Sequence, residues 1–472
     1  MRDVLGLLAL NALFLATGAS IVWAAGGSRT WADAVRRAGL AYLVGAAAVG
    51  VAGVMLLTTG ASLRPLNTLG IALAEVAAAL VAGRAARRPL PVRQPRERRR
   101  ERLLAPALLV ALAATAYLAD FLRAARKQSL FTLAEWDAWA FWTAKAKAIY
   151  YFGGLDAHVL RTFFQPGYPM LVPAVEAMAF GFMGAANTTL LHVQFWLLLA
   201  GFVACLAGLL RPETPHALIW PFVALLLVLP QLNRLALAPQ GDFALDYFFA
   251  AAGLCLALWA LRREPWLLVC ATVLLAGAVA SKREGYLFSA ALLLGVAAAT
   301  WGQRRWAWPR LAVAAIVAGV SSVPWEVWRS RHHLPGQLAG TNASAVADRF
   351  GAAASSVSQI LFGYHFWLVA VPLALAAAAL LFLGGHRNVA VLYLVTLALG
   401  WLGLVWTLAA GVDFTLGPLS DQNPAPRGSG ALALLTLALT PLMLGLTLEV
   451  GKDRRLWPEA WLRSPPCRRL PS

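Results

Sequence analysis

Residues 135–147 read Glu135-Trp136-Asp137-Ala138-Trp139-Ala140-Phe141-Trp142-Thr143-Ala144-Lys145-Ala146-Lys147. Two acids, three tryptophans and two lysines share these thirteen positions, shortly after the apolar run 103–122. The stretch follows that run too soon to be another membrane span. As a helix it puts Asp137, Phe141 and Lys145 on one face, at i, i+4 and i+8, with Asp137 and Lys145 about 12 Å apart. Tryptophan and lysine together favour the lipid headgroup layer, where rings and long aliphatic stems are both comfortable. The reading is an amphipathic outer-face helix. It holds an acid at the membrane surface beside cations and an aromatic wall, a setting suited to chemistry on a lipid-linked, phosphate-bearing substrate.

The totals agree with a membrane setting. The chain has 472 residues, 60% hydrophobic and 13% charged, with mean hydropathy +0.67. No soluble domain needs that much apolar surface, so the fold class is an all-α polytopic membrane protein. A net charge of +18 invites a nucleic-acid partner. That partner is rejected because the arginines fall mainly in short loops between apolar runs, the positive-inside pattern. The basic excess meets anionic headgroups of membrane lipids instead. Cys205, Cys255 and Cys270 lie inside apolar runs and Cys467 in the tail, so no disulfide framework is implied. The first apolar run, 3–25, lacks a basic leading segment and a cleavage site and reads as a retained span.

Three spans open the chain, at 3–25, 38–59 and 65–83, forming an N-terminal unit over 1–83. Segment 84–102 carries nine arginines and three prolines and reads as a cytoplasmic linker. Span 103–122 then runs outward, and the membrane core continues to 449, with outer loops 123–187, 326–365 and 411–430 and a basic cytoplasmic tail 450–472. Residues 170–186 are apolar but short, interrupted by Pro173 and Glu176. Counting them as a span would put Arg262, Arg263, Arg304 and Arg305 outside. The charge rule therefore favours a re-entrant or interfacial helix. Further spans are expected at 188–210, 217–230, 243–261, 266–281, 286–301, 310–325, 366–384, 388–410 and 431–449, which makes thirteen in all.

Four constellations can carry chemistry. Asp137 is the first, as a general base that takes a proton from a sugar hydroxyl. Its competing reading is an interfacial acid paired with Lys145 or Lys147, and Glu135 and Asp156 are rival acids. The second is Ser281-Lys282-Arg283-Glu284-Gly285, a tight turn between two apolar runs. Two adjacent cations at an outer turn need something to hold them. A phosphate suits Lys282 and Arg283, while the alternative is that Glu284 neutralises one of them. The third is Gln240-Gly241-Asp242-Phe243-Ala244-Leu245-Asp246-Tyr247. Asp242 and Asp246 lie one turn apart and can bind substrate hydroxyls or a divalent cation, or serve as helix N-terminal acids. The fourth is loop 326–365, where Arg329 is a candidate acceptor or phosphate contact. Its adjacent His332 and His333 point to different faces, which disfavours zinc, so no metal site is assigned. No phosphate-cradling Gly-x-x-x-x-Gly-Lys loop and no Gly-x-Gly-x-x-Gly fingerprint occurs.

At these residues the chain resembles the integral-membrane GT-C glycosyltransferases, in the bacterial branch similar to protein O-mannosyltransferases and the lipid A aminoarabinose transferase. The likeness rests on Trp136-Asp137-Ala138-Trp139, on Gln165-Pro166-Gly167-Tyr168-Pro169, on Gly241-Asp242-Phe243 and on Lys282-Arg283-Glu284-Gly285, in that order. It covers about 103–301. The resemblance implies a GT-C-like bundle in the plasma (inner) membrane with its site on the outer face. It implies a polyprenyl-phosphate-sugar donor and a glycan, lipid or protein acceptor. It implies Asp137 as the catalytic acid-base residue and Lys282 and Arg283 as donor-phosphate contacts, with Glu135, Trp136, Trp139, Lys145, Tyr168, Asp242, Asp246, Glu284 and Arg329 around the substrates. The family's frequent His-Pro is Gln165-Pro166 here. Two other functions fit a lipid carrier: a transporter or flippase of a lipid-linked sugar, and an O-antigen ligase or polymerase-like enzyme.

Overall fold

The computed structural model describes residues 1–92, 133, 135–229, 232, 238–335, 343–385, 387–410 and 425–454. Span 103–122, the linker beyond residue 92, most of loop 411–430 and the tail beyond 454 lie outside the described residues. The described chain is helical, with one isolated parallel bridge between Thr30 and Val92. The first helices are α1 (Arg2–Ala25), α2 (Trp31–Arg36), α3 (Ala38–Thr58) and α4 (Pro65–Ala85). Local chemistry sets their ends. Gly26, at φ 96°, closes α1 in the left-handed conformation. Thr30 and Asp33 form a reciprocal capping box on α2, and Pro65 opens α4 where its missing N–H costs nothing.

After a π-helical turn at Ala138–Trp142 come α5 (Thr143–Phe152), α6 (Ala157–Thr162), α7 (Leu171–Met183), α8 (Thr188–Leu210) and α9 (His216–Leu227). The core continues with α10 (Gly241–Arg262), α11 (Pro265–Ser281), α12 (Glu284–Ala299), α13 (Arg304–Val320) and α14 (Val323–Arg331). It ends with α15 (Ala343–Phe362), α16 (Tyr364–Trp367), α17 (Ala370–Gly384), α18 (Arg387–Ala410), α19 (Ala425–Gly428) and α20 (Gly430–Arg454).

Eight described helices are long and apolar enough to cross a membrane: α1, α3, α4, α8, α10, the run 301–331, α18, and 426–448. The protein is a polytopic helical membrane protein. The expected thirteen spans are not all of spanning length. Stretches 217–230, 266–281, 286–301 and 366–384 are helices of 10–17 residues, which need tilt or neighbours to match a core of about 30 Å. The stretch 170–186 forms α7, only 13 residues long and buried along most of its length. At 1.5 Å per residue it reaches about 20 Å, too little to cross.

α10 is the axis of the core. Every residue from Gly241 to Ala260 is buried, and α8, α11, α12 and α20 pack around it. α3 packs against α1, α8 and α11, so the N-terminal helices seat directly on the core. The α1–α3 contact is backbone on backbone: a Cβ at Gly45 would lie 1.7 Å from the Phe14 carbonyl oxygen, and one at Gly18 1.6 Å from that of Ala41. Small residues allow this approach inside a bilayer, where lipid competes for apolar surface and close packing drives association. A buried polar knot then locks α1, α3 and α8. Tyr42 Oη donates to Asn11 Oδ1 at 2.6 Å, Asn11 Nδ2 to Gln194 Oε1 at 2.8 Å, and Gln194 Nε2 to Tyr42 Oη at 3.1 Å. Gly45→Ala is expected to force α1 off α3 and cost about 1–3 kcal/mol. Thermal unfolding of the detergent-solubilised protein checks this, and an unchanged transition would contradict the close approach.

Candidate functional site

Three helix ends meet at one end of the bundle. α10 begins there with Asp242, α11 ends there at Ser281, and α12 begins there with Glu284. Between α11 and α12, Lys282 takes an extended backbone (φ −156°) that breaks the apolar run. Its Nζ lies 2.8 Å from Asp242 Oδ1 and 3.1 Å from Glu284 Oε1. Burial works against the charge of this ammonium. Asp242 and Glu284 outweigh it and hold Lys282 well above the ordinary lysine range. Lys282 is thus neutralised in place by two carboxylates.

Asp137 joins the same cluster. It pairs with Arg427 of α19, and Arg427 Nη1 also donates to Gln240 Oε1 at 3.3 Å. Both side chains are largely buried, with Asp137 16% and Arg427 20% exposed. Burial raises the Asp137 carboxyl above its usual range; Arg427 and Lys282 pull it down and Asp242 pushes it up. Glu135 lies within electrostatic range of Arg427. Asp137, Asp242, Lys282, Glu284, Gln240 and Arg427 therefore form one array of alternating charge. It is assembled from segments nearly 300 residues apart in the chain.

Of the expected face, Lys145 Nζ lies over the Phe141 ring at 5.5 Å, while Asp137 turns away to Arg427. The π turn at Ala138–Trp142 adds a residue to the turn and rotates the helix beyond it. Asp137 pairs with neither lysine. Lys145 turns inward, fully buried, and donates to the Gln165 carbonyl. Burial and, secondarily, Arg283 depress its pKa to about 7. Of the expected aromatic wall, Trp136 and Trp139 are half exposed while Trp142 is buried. The Trp142 ring covers Gly241, where a Cβ would lie 2.6 Å from it. Phe164 joins the wall, its ring 4.9 Å from that of Trp136.

Arg283 diverges from Lys282. Its Nη2 donates to the Gly167 carbonyl at 3.1 Å, and its guanidinium lies over the Tyr168 ring. Tyr168 stacks edge-on against Trp142. Arg329 approaches the same Gly167 but is held by Glu326 at 2.7 Å. Asp246 is buried one turn below Asp242, against the backbone of Gly430. Asp156 caps α6, accepting from His158 N and Val159 N. Among the described residues no group of three or more metal-ligating side chains comes together.

Sequence reasoning missed Arg427 and gave no role to Gln240, the first residue of the third constellation. Arg427 is the sole cation of loop 411–430, directly before the last apolar run. That isolation is the available cue. Several polar atoms of the array have no hydrogen-bond partner among the described residues: Asp242 Oδ2, Gln240 Nε2, Arg427 Nε and Glu284 Oε2. Such buried groups are costly unless something polar meets them. Comparison of the chain with protein-family models, with curated proteins and with solved structures finds no match.

Lys282→Met leaves Asp242 and Glu284 without their counter-ion and is expected to cost about 3–5 kcal/mol. Adding Asp242→Leu should recover most of that loss in thermal unfolding, and a double variant no better than the single one contradicts the pairing. Lys145 gives a pH signature. Its amine is harder to protonate folded than unfolded, so its contribution is complete above pH 10.5 and is lost as pH falls towards 7. The unfolding temperature of the native protein should therefore rise across that window more steeply than that of Lys145→Met.

Proposed function

We propose that this protein is a membrane glycosyltransferase of the GT-C type. It moves a sugar, hexose or pentose, from a polyprenyl-phosphate carrier to an extracytoplasmic glycan, lipid or protein. The observation that carries the reading is the meeting of Asp137 with Arg427, Lys282 and Asp242 at one end of an apolar bundle, beside half-exposed tryptophans. A lipid-borne sugar phosphate needs that combination. Its chain stays in the bilayer, its phosphate requires fixed cations, and its sugar requires a carboxylate and flat apolar surfaces.

In the proposed reaction the acceptor hydroxyl gives its proton to Asp137, whose upward-shifted carboxyl makes it a better base than an exposed aspartate. The hydroxyl oxygen bonds to the anomeric carbon as the bond from that carbon to the phosphate oxygen breaks on the opposite face. Configuration inverts, and polyprenyl phosphate leaves with the bonding electron pair. Arg427 and Lys282 are the cations placed to stabilise the charge on that leaving oxygen. Arg427 also fixes the direction of the Asp137 carboxylate through their ion pair. Trp136 and Trp139 offer faces for the sugar or the prenyl chain. On this reading the cluster faces the outside of the plasma membrane, consistent with the arginines of 262–263 and 304–305 lying at the other end.

Asp137→Asn tests the assignment in membrane fractions supplied with labelled polyprenyl-phosphate-sugar. Transfer to endogenous acceptor should fall at least about a hundredfold, with the amount of membrane-inserted protein unchanged. Transfer at the unaltered rate removes Asp137 as the base, and translocation of the labelled lipid without bond cleavage favours a flippase instead.

A further inference from the structure

The opposite end of the bundle carries a second constellation that the transfer reaction does not use. α10 runs about 33 Å from Gly241 to Arg262, and Arg263 closes it. The chain returns through α11 and α12 to a short 3-10 turn at Trp301–Gln303 and the start of α13. Arg263, Gly302, Gln303, Arg304, Arg305 and Trp306 there line a cavity of about 350 Å³. That is within the size range of small-ligand sites.

The lining is cationic. Among the described residues no carboxylate forms an ion pair with Arg263, Arg304 or Arg305. The neighbouring acid, Glu264, accepts from Trp266 Nε1 at 2.7 Å. Trp306 forms an aromatic floor. It stacks on Trp259 at 5.0 Å, with Arg263 over it at 5.7 Å and Arg310 at 4.9 Å. Gln303 Oε1 is buried with no partner among the described residues. Arg263 sits at φ 58°, a conformation that favours glycine at a helix end. An arginine held there keeps its guanidinium at the cavity despite the backbone cost.

The surroundings identify the level in the membrane. Trp301 and Trp308 are 60% and 36% exposed beside the cavity, and exposed tryptophans collect at the lipid–water boundary. Arg37 covers Trp266 at 4.4 Å at the same end. This is the end that the positive-inside rule makes cytoplasmic, where the leaflet is rich in anionic lipid.

We infer that the cavity lined by Arg263, Arg304 and Arg305 binds the phosphate headgroup of an anionic phospholipid from the leaflet opposite the Asp137–Lys282 cluster. The guanidinium groups contact the phosphate oxygens, Gln303 Oε1 accepts from a headgroup hydroxyl, and the acyl chains stay in the bilayer beside the exposed tryptophans. The site tethers the α10–α13 corner to the membrane surface. It is independent of the catalytic reading.

The test uses full-length, delipidated protein in neutral detergent, titrated with fluorescent phosphatidylglycerol. Phosphatidylglycerol should bind saturably and phosphatidylcholine should not displace it. Arg304→Gln with Arg305→Gln, both exposed, should weaken binding about tenfold or more, whereas Arg304→Lys with Arg305→Lys should retain most of it. Arg64→Gln, an exposed arginine beyond the far end of α3, should bind as the unaltered protein does. Equal binding of both lipids, or equal binding by the glutamine double variant, overturns the inference. Displacement by inorganic phosphate alone at moderate excess overturns it too, because it would mark a site for soluble anions. The lipid competition on unaltered protein needs no variant to fold.

Discussion

Charge buried without water must find charge, and that constraint organises the end of this bundle where α10, α11 and α12 meet. Lys282 cannot sit at the tip of an apolar hairpin unless Asp242 and Glu284 reach it. The three residues therefore fix how α11 and α12 join and how deep the first turn of α10 lies. Arg427 and Asp137 extend the same array across the start of α20 and the aromatic stretch. The apolar packing below can be loose in sequence because lipid and side chains are chemically alike. The polar cluster cannot.

The two ends of the core differ in kind. At the Asp137 end, cations and carboxylates alternate and nearly cancel, leaving a few buried polar atoms without a hydrogen-bond partner among the described residues. At the Arg263 end, guanidinium groups gather around a cavity with tryptophans and, among the described residues, no matching acid. A balanced array suits a site that handles a charge appearing and leaving. An unbalanced one suits permanent contact with an anionic surface. The same helices, α10 and α11, connect both ends.

The tryptophan-rich stretch illustrates how far local pattern reaches. Its acid, aromatics and lysines marked a candidate site, and Asp137 does stand in the charged array. The helical spacing that grouped Asp137 with Lys145 fails, because a π turn shifts the register by a residue. Lys145, expected at the substrate, becomes a buried tie to the Gln165 carbonyl. Lys282 and Arg283 were legible as an anomalous pair of cations. Their division of labour, one towards Asp242 and one towards Gly167 and Tyr168, was not.

Sequence alone determined the membrane class, the order of the apolar segments and the breaks at Lys282 and Gly241. Each follows from composition or from a local rule about lipid, water and helix ends. Only the tertiary structure decided that Arg427 is the partner of Asp137, that Asn11, Tyr42 and Gln194 bind the first helices to the core, and that the short helix at 171–183 is buried along most of its length. The pairings among them join residues from about 30 to nearly 300 positions apart. In a chain so uniformly apolar no local periodicity distinguishes one helix face from another, so the partner of each face is set by packing and by the few polar groups that must meet.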